Sequence, residues 1–474
     1  MSAALIWFRN DLRLADHPAL IAALGSGQAI VPVYILDEET DGLRLRGAAS
    51  RWWLHHSLQA LDASLRLLGS RLVLRRGPAE QVMPELAAEC GATAVYWNRA
   101  YDPAARERDA RIKLAFNAHG MVAEGLKGNL LFEPWEVKAA GSDSYKVFSA
   151  FWRACRALRS PDSPLPAPKS LPAPAKWPRT DRLAAWELRP SAPDWAGGLR
   201  AAWTPGEAAA RARLTHFLDE ALVRYREERD LPAVEATSRL SPHLAFGEIS
   251  PRTIWQAATA RGHSAATEKF LAEIGWREFS YHLLFHHGDL AQRNFRPEFD
   301  AFPWMNNGAD DSMEEPIEAW RRGRTGYPIV DAGMRELWTT GWMHNRVRMI
   351  VASFLTKDLL VDWRVGERWF WDTLVDADPA NNAASWQWVA GTGADAAPYF
   401  RIFNPVLQGE KFDPDGDYGR RWVPELAGLP TKSIHQPWTA NQPPPADVYP
   451  ARLVDHAVAR ERALGAFRTI RKSA

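Results

Sequence analysis

Between residues 326 and 405, polar and aromatic side chains are interleaved along the whole stretch. Asn345, Arg346, Arg348, Asp376, Asp378, Asn381 and Asn382 stand among Trp338, Trp342, Trp363, Trp369, Trp371, Trp386 and Trp388. A plain helical core does not account for this mixture, because each buried polar group must find a partner. A pocket for a large, flat ligand with polar edges does. Two segments carry a compact triplet. FLAEIGWREFSYH (270–282) puts Glu273, Trp276 and Arg277 at i, i+3 and i+4, and WMHNRVRM (342–349) does the same with Asn345, Arg348 and Met349. Each triplet shares one helix face. The first suits a recognition pocket and equally a surface salt bridge. Asp376 is a candidate partner for Arg348. Trp386 and Trp388 alternate in WQW, so they point the same way if the chain is extended there. Thr237, Ser238 and Ser241 precede Pro242. That pattern reads as a helix start whose N–H groups attract phosphate, and it serves equally as an ordinary cap. His282 and His286 are four apart, but no HExxH, CxxC or third ligand accompanies them, so no metal site is expected.

The elements that must position these groups are legible from periodicity. Short β-rich runs at 3–8, 29–36, 71–75 and 93–97, with a further one at 120–124, alternate with helical patterns at 16–24, 48–68, 78–89 and 103–119. That alternation predicts a parallel sheet with crossover helices. WFRNDLRL follows the first strand where a dinucleotide fold has GxGxxG, so a standard dinucleotide half is not expected. A ligand could still sit at the carboxyl ends of the strands. Prolines crowd residues 160–203, which read as extended linker. The remainder is mostly helical. Expected divisions are an α/β domain at 1–130, a linker at 131–203 and a helical domain at 204–474. Residues 451–473 form a basic amphipathic helix with a solvated face.

Bulk properties exclude several classes. The chain has 474 residues, 46% hydrophobic and 24% charged, which is ordinary for a globular protein. Net charge is +1, so nucleic-acid binding needs a local patch. Two cysteines, Cys90 and Cys155, argue against a disulfide framework and for a reducing compartment. The N-terminus has neither a signal peptide nor a membrane span, and a cytoplasmic enzyme is expected. Tryptophan is the outlier, with 23 against 10 tyrosines. Core filling explains some of them; stacking surfaces or an electron-transfer path explain more.

Taken together, WFRNDLRLADHPAL (7–20), NLLFEPWEV (129–137), YKVFSAFWRA (145–154), TSRLSPHLAFGEISPR (237–252), WREF (276–279), GYPIVDAGMR, TGWMHNRVRM, ASFLTKDLLVDWRVGE, DADPANNAASWQW and DAAPYFRIFNPVLQGEKFDPDGDY resemble the DNA photolyase/cryptochrome family over nearly the whole chain. Within it, the resemblance is to bacterial cyclobutane pyrimidine dimer photolyases of class III. It implies an α/β N-terminal domain with a parallel Rossmann-like sheet, and an all-α C-terminal domain holding FAD. It puts Tyr225, Thr237, Ser238, Leu240 and Ser241 near ribityl and phosphate groups. Phe270, Arg277 and Asn345 line the pocket, Arg348 pairs with Asp376, Asp378 meets the flavin edge and Asn382 faces N5. Asn382 is an amide where plant-type cryptochromes carry Asp. Glu273, Trp276, Asn345, Met349 and Trp388 match the lesion pocket of enzymes that split cyclobutane dimers in duplex DNA. Trp386, Trp363 and Trp304 match the photoreduction chain, and Arg346, Arg401 and Lys411 match DNA phosphate contacts.

The activity so implied is light-driven repair of cyclobutane dimers in ultraviolet-damaged double-stranded DNA by a monomer. A second, antenna chromophore is implied, with 5,10-methenyltetrahydrofolate favoured and 8-hydroxy-5-deazaflavin the alternative. Ala104 and Ala105 depart from one folate-binding pattern, which has Asn and Glu there. Two competing classes are a cryptochrome sensor, which the absence of a long tail after the last motifs disfavours, and a flavoprotein that does not use light.

Overall fold

The computed structural model describes residues 2–139, 141–305, 313–396 and 400–472, with only the backbone of Arg471 and Lys472. The chain forms two compact units, Met1–Val223 with Ser238–Gly288, and Arg224–Thr237 with Asp289–Ala474. This division differs from the expected one, because helical segments up to His287 pack with the sheet.

The first unit is built on five parallel strands in the order β3-β2-β1-β4-β5. They are β1 (Ala3–Phe8), β2 (Ala29–Leu36), β3 (Val73–Arg76), β4 (Ala92–Asn98) and β5 (Val122–Leu126). The crossovers are α1 (Pro18–Gly25), α2 (Ala48–Leu67), α3 (Ala79–Cys90) and α4 (Pro103–Ala118). Every residue of β1 and β2 is buried, as the continuous apolar runs of a sheet covered on both faces require. The strand order reverses between β1 and β4, where a ligand crevice would open. Here the chain's own WFRNDLRLADH segment fills the carboxyl ends. Asn98 donates to Asp11 (2.8 Å), Arg9 donates to Asp109 (2.5 Å), and Asp11, Arg13, Asp16 and His17 are all buried. Arg13 donates to the carbonyls of Gly128 (2.6 Å) and Gly247 (2.9 Å), and Asp16 receives Ser250 and Arg252. Gly247 is needed at φ +62° because a Cβ would overlap the backbone of Asn10. The motif therefore acts as a clamp.

The proline-rich stretch is extended but not a free linker. It is tied to the unit by backbone bonds from Asp16 to Leu165 (2.8 Å), Ile30 to Pro172 (2.7 Å), Leu171 to Leu68 (3.0 Å) and Asp181 to Leu74 (2.8 Å). Proline lacks an N–H, so only the residues between prolines and the proline carbonyls can serve, and they do. Helix α5 (Phe148–Leu158) also lies within the expected linker.

A second buried cluster in this unit carries a pH signature. Glu278 is 2% exposed and accepts N–H bonds from Leu131 (2.8 Å) and Phe132 (3.2 Å). Burial pushes its carboxyl up to about 7, against the pull of Arg277 and the two N–H groups. The folded protein thus binds more protons than the unfolded chain between pH 4.5 and about 7. Stability falls as pH rises through that window, by about 3 kcal/mol in all. Glu278→Gln should leave Tm unchanged near pH 4 and raise it at pH 8. A variant whose Tm shifts equally at both pH values would show that ionisation of Glu278 is not the cost.

The second unit is helical. Its helices include Pro328–Thr340, Asn345–Ser353, Trp363–Thr373, Asn381–Ala390, Pro405–Phe412 and His456–Lys472. Their ends follow the sequence. Asp362 and Asn404 cap the third and fifth by accepting from Arg364 (2.8 Å) and Val406 (3.0 Å), and Gly341 ends the first in the left-handed region. One hydrophobic cluster joins them and contains Trp304, Trp320, Trp363 and Trp386. The last helix is more than a solvated amphipathic segment. Ala463 and Ile470 enter that cluster, Phe467 stacks on Phe400 at 4.6 Å, and His456 meets Asp358 at 2.5 Å.

Candidate functional site

In the first unit the 23-residue helix Ala265–His287 carries Phe270, Glu273, Trp276 and Arg277. Ser264 starts it by accepting from Thr267 (3.0 Å). Phe270 is buried against Phe217 (4.6 Å). Glu273 pairs with Lys269, one turn back, at 3.1 Å. Trp276 is backed on one face by Phe148, with ring centroids 3.8 Å apart and planes 11° from parallel. That stack fixes the indole plane. Phe148 was not among the expected residues; the FSAFW pattern on α5 was its only signal. Arg277 donates to the Asn129 carbonyl (2.9 Å) and reaches Glu278 (3.3 Å).

The expected helix start near Ser241 differs in detail. The helix Ser241–Ala245 has five residues, Ser241 is its first helical residue, and Leu240 stands at the cap with no side-chain bond. Ser238 instead accepts from the Leu240 N–H (3.4 Å). Leu240 is buried, Thr237 and Ser238 are half-buried and Ser241 is exposed. The Ser-Pro pattern placed the turn correctly and the cap one residue late.

In the second unit the Asn345–Ser353 helix presents Asn345 and, one turn later, Met349. His344 precedes it, buried, and accepts from the Arg346 N–H through Nδ1 (3.2 Å). Burial lowers its pKa to about 4, so the ring is neutral at physiological pH. Arg348 and Asp376 form the expected pair through two bonds of 3.1 and 2.8 Å, and Arg348 Nε also donates to the Met343 carbonyl (2.8 Å). Arg346 has intramolecular partners that the phosphate assignment did not anticipate. It donates to Asp230 (2.7 Å), approaches Met349 Sδ (3.8 Å) and lies over Phe412 (4.4 Å). Arg401 and Lys411 are exposed. Tyr225 is buried beneath the Arg229 guanidinium (5.2 Å).

The Asn381–Ala390 helix concentrates three kinds of group. Asp378 accepts from the Ala380 (3.0 Å) and Asn381 (2.7 Å) N–H groups at its start. Asn382 is 8% exposed, and its Nδ2 donates to both the carbonyl (3.0 Å) and the carboxylate (2.8 Å) of Glu367. The amide orientation is thereby determined, and Oδ1 is the atom left to accept. Glu367 was not foreseen, because its partner lies on a neighbouring helix. Residues 386–388 are helical, not extended, so Trp386 and Trp388 face different sides. Trp386 is buried edge-on to Phe370 (4.9 Å), over Gly366, which has no side chain to clash with it. Trp388 is half-buried and donates to the Asp395 carbonyl (3.1 Å). At the far end, buried Lys357 donates to the Ala390 carbonyl and sits 3.3 Å from the Phe400 ring centre, and Arg296 donates to Gly391 (3.1 Å). Both basic side chains meet the negative end of the helix. Burial holds the Lys357 amine well below the usual lysine value.

The residues present fit a flavin on donor chemistry. Asn382 offers a carbonyl to an N–H edge, and Arg348 with Asp376 supplies a paired charge next to it in sequence and helix packing. Among the described residues no cluster of His, Cys, Asp or Glu could hold a metal. No described helix is long and apolar enough to cross a membrane.

Comparison with known proteins agrees with this chemistry. Residues 4–171 match the family described as DNA photolyase, and residues 270–469 match the FAD binding domain of DNA photolyase. A deoxyribodipyrimidine photo-lyase of Agrobacterium fabrum is 51% identical over 99% of this chain and 98% of its own length. Cryptochrome-1 of Arabidopsis thaliana is 40% identical over 92% of this chain and 65% of its own. The crystal structure of a bacterial class III photolyase from Agrobacterium tumefaciens superposes with TM-score 0.95 at 50% identity, covering 100% of this chain and 98% of that one.

Proposed function

Because this chain belongs to the DNA photolyase/cryptochrome family, we propose that it is a deoxyribodipyrimidine photo-lyase that repairs cyclobutane pyrimidine dimers with light. The observation that carries the reading is Asn382. A neutral amide, turned by Glu367 so that its oxygen accepts, suits the protonated edge of a reduced flavin without adding charge. When bound and reduced, FAD supplies on illumination the electron that splits the dimer, and takes it back. The chain's residues bind and position. Arg348, Asp376, Asp378, Asn382 and Asn345 would hold the flavin, with Phe270, Arg277, Ser238, Leu240, Ser241, Tyr225 and Thr237. Trp276 and Trp388 would offer their rings to the dimer, Glu273 would bond a pyrimidine carbonyl, and Met349 would pack against the ring.

Photolyases are among the enzymes that take a base out of the duplex, at a cost of a few kcal/mol that an already distorted lesion lowers. Arg401, Lys411 and Arg346, whose remaining N–H groups are not used by Asp230, offset it through phosphate contacts. An antenna chromophore belongs to the same reading, methenyltetrahydrofolate before 8-hydroxy-5-deazaflavin. Ala104 and Ala105 give it no polar group at the start of α4, so we assign it no residues. The enzyme acts as a monomer in the cytoplasm.

The test is repair of a thymine-dimer duplex by the purified, reduced protein, in blue light and in the dark. Light-dependent restoration is expected, and fully reduced protein without it would sink the enzyme reading in favour of a sensor. The salt dependence of binding the same duplex adds a second check. With about four phosphates neutralised, log K should fall against log[salt] with slope near −3.6. A flat dependence would remove the phosphate contacts.

A further inference from the structure

Trp363 is fully buried, and its indole N–H donates to Asn294 Oδ1 at 2.8 Å. Asn294 Nδ2 in turn donates to Asp300 Oδ1 at 2.7 Å. The segment holding Asn294 is tied to the helix of Trp386 by the next residue along. Gln387 donates to the carbonyls of Leu290 (2.6 Å) and Arg293 (2.9 Å) and accepts from the Phe295 N–H (2.8 Å). Asp300 lies on the short helix Pro297–Ala301 that leads directly into Phe302 and Trp304, whose rings are 4.4 Å apart. One bonded segment thus holds Trp363 and Gln387, the residue after Trp386, and runs on to Trp304.

An indole that has lost an electron is a far stronger acid than indole itself. If its N–H proton departs, the remaining neutral radical is a weaker oxidant and the charge stays where it is. The acceptor on that N–H therefore decides whether charge moves on. A carboxylate takes the proton; an amide oxygen is too weakly basic to do so, yet its dipole stabilises the positive charge, and more so with a carboxylate behind it. Arg364, 4.8 Å over the Trp363 ring, acts in the opposite sense, but its charge is offset by Asp362 at 2.9 Å.

We propose that Asn294 is a positioning residue of the photoreduction chain: its amide oxygen, polarised by Asp300, keeps the proton on Trp363 while that indole is one electron short. The sequence of electrons closes on named groups. Trp386 would give one to the photo-excited oxidised flavin, Trp363 would refill Trp386, Trp304 would refill Trp363, and an external thiolate would refill Trp304, ending as a thiyl radical that pairs with a second one to a disulfide. No proton leaves Trp363 at any step. The inference rests on the assignment of Trp386, Trp363 and Trp304 to that chain.

The experiment compares Asn294→Leu, Asn294→Asp and Trp363→Phe in the FAD-loaded protein after a light flash with thiol present. Asn294→Leu should slow photoreduction at least about tenfold, the loss expected for one hydrogen bond to a charged group. Asn294→Asp, nearly identical in shape, should show the neutral tryptophan radical in place of the cation, with photoreduction reduced. Both should keep repair by chemically reduced enzyme unchanged, which guards against misfolding. A readout independent of photochemistry is the indole N–H resonance of Trp363, assigned by its loss in Trp363→Phe. It should move upfield and exchange faster in Asn294→Leu. Photoreduction by Asn294→Leu as fast as in the unaltered protein, or a cation spectrum in Asn294→Asp, would overturn the role of Asn294. Normal photoreduction by Trp363→Phe would instead overturn the chain assignment, and the inference with it.

Discussion

Replacing Arg348 by alanine should give a protein that purifies without its flavin. Asp376 has a side chain only 2% exposed, and both its oxygens are bonded to the Arg348 guanidinium. Removing one partner of such a pair leaves a buried carboxylate uncompensated, which typically costs about 3–5 kcal/mol. A quarter of the Arg348 side chain is exposed, so solvent screening brings the expected loss to the lower end, about 3 kcal/mol. The same guanidinium donates to the Met343 carbonyl and so links the start of the Asn345 helix to Asp376. Flavin affinity should therefore fall by about a hundredfold or more, the equivalent of about 2.7 kcal/mol. The flavin-to-protein absorbance ratio reads the affinity and Tm reads the fold. Arg348→Met with Asp376→Leu should recover much of the Tm, because apolar replacement of both partners removes the stranded charge, and should remain flavin-free. Full flavin occupancy in Arg348→Ala would show that the pair is structural only.

Trp386→Phe should separate two reactions that share one cofactor. Trp386 is buried against Phe370 and Trp320, and Gly366 leaves room for its six-membered ring. Phenylalanine keeps most of the packing, so its cost should be below the about 3–5 kcal/mol of a truncation to alanine. It removes the proposed first donor, however. Light-driven reduction of the oxidised protein should drop more than about a hundredfold, which corresponds to about 2.7 kcal/mol of barrier. Repair by protein reduced beforehand should persist for the larger part, because that electron starts from the flavin. Stopped illumination with absorbance detection measures the first; dimer loss from a duplex measures the second. Loss of both in a protein of normal Tm would mean that Trp386 also shapes the flavin pocket and that the division of roles is wrong.

How much of this was legible beforehand depended on the range of the interaction. The five strands appear where the β-rich runs predicted them, because alternation of apolar runs and helical periods is a local property. The triplets at 273–277 and 345–349 do lie on helices, and Arg348 does meet Asp376. WQW left strand and helix open, because two tryptophans separated by one residue also satisfy the strand period; the capping at Asp378 and the turn at Gly391 decide for the helix. The proline-rich stretch was read as a linker because composition reports missing donors and not the carbonyls that neighbours use.

The sequence alone determined the parallel sheet, through residue type and spacing, and the family, through long ordered motifs; the side chains proposed to hold a flavin and carry electrons come from that resemblance. Only the tertiary structure decided how those side chains are aimed. Glu367 turns the Asn382 amide, Phe148 closes one face of Trp276, Asp230 engages Arg346, and Asn294 accepts from the Trp363 indole N–H. Each of these partners is distant in sequence, and a hydrogen bond or ring stack is directional at the scale of ångströms. Spacing along the chain carries no information of that kind.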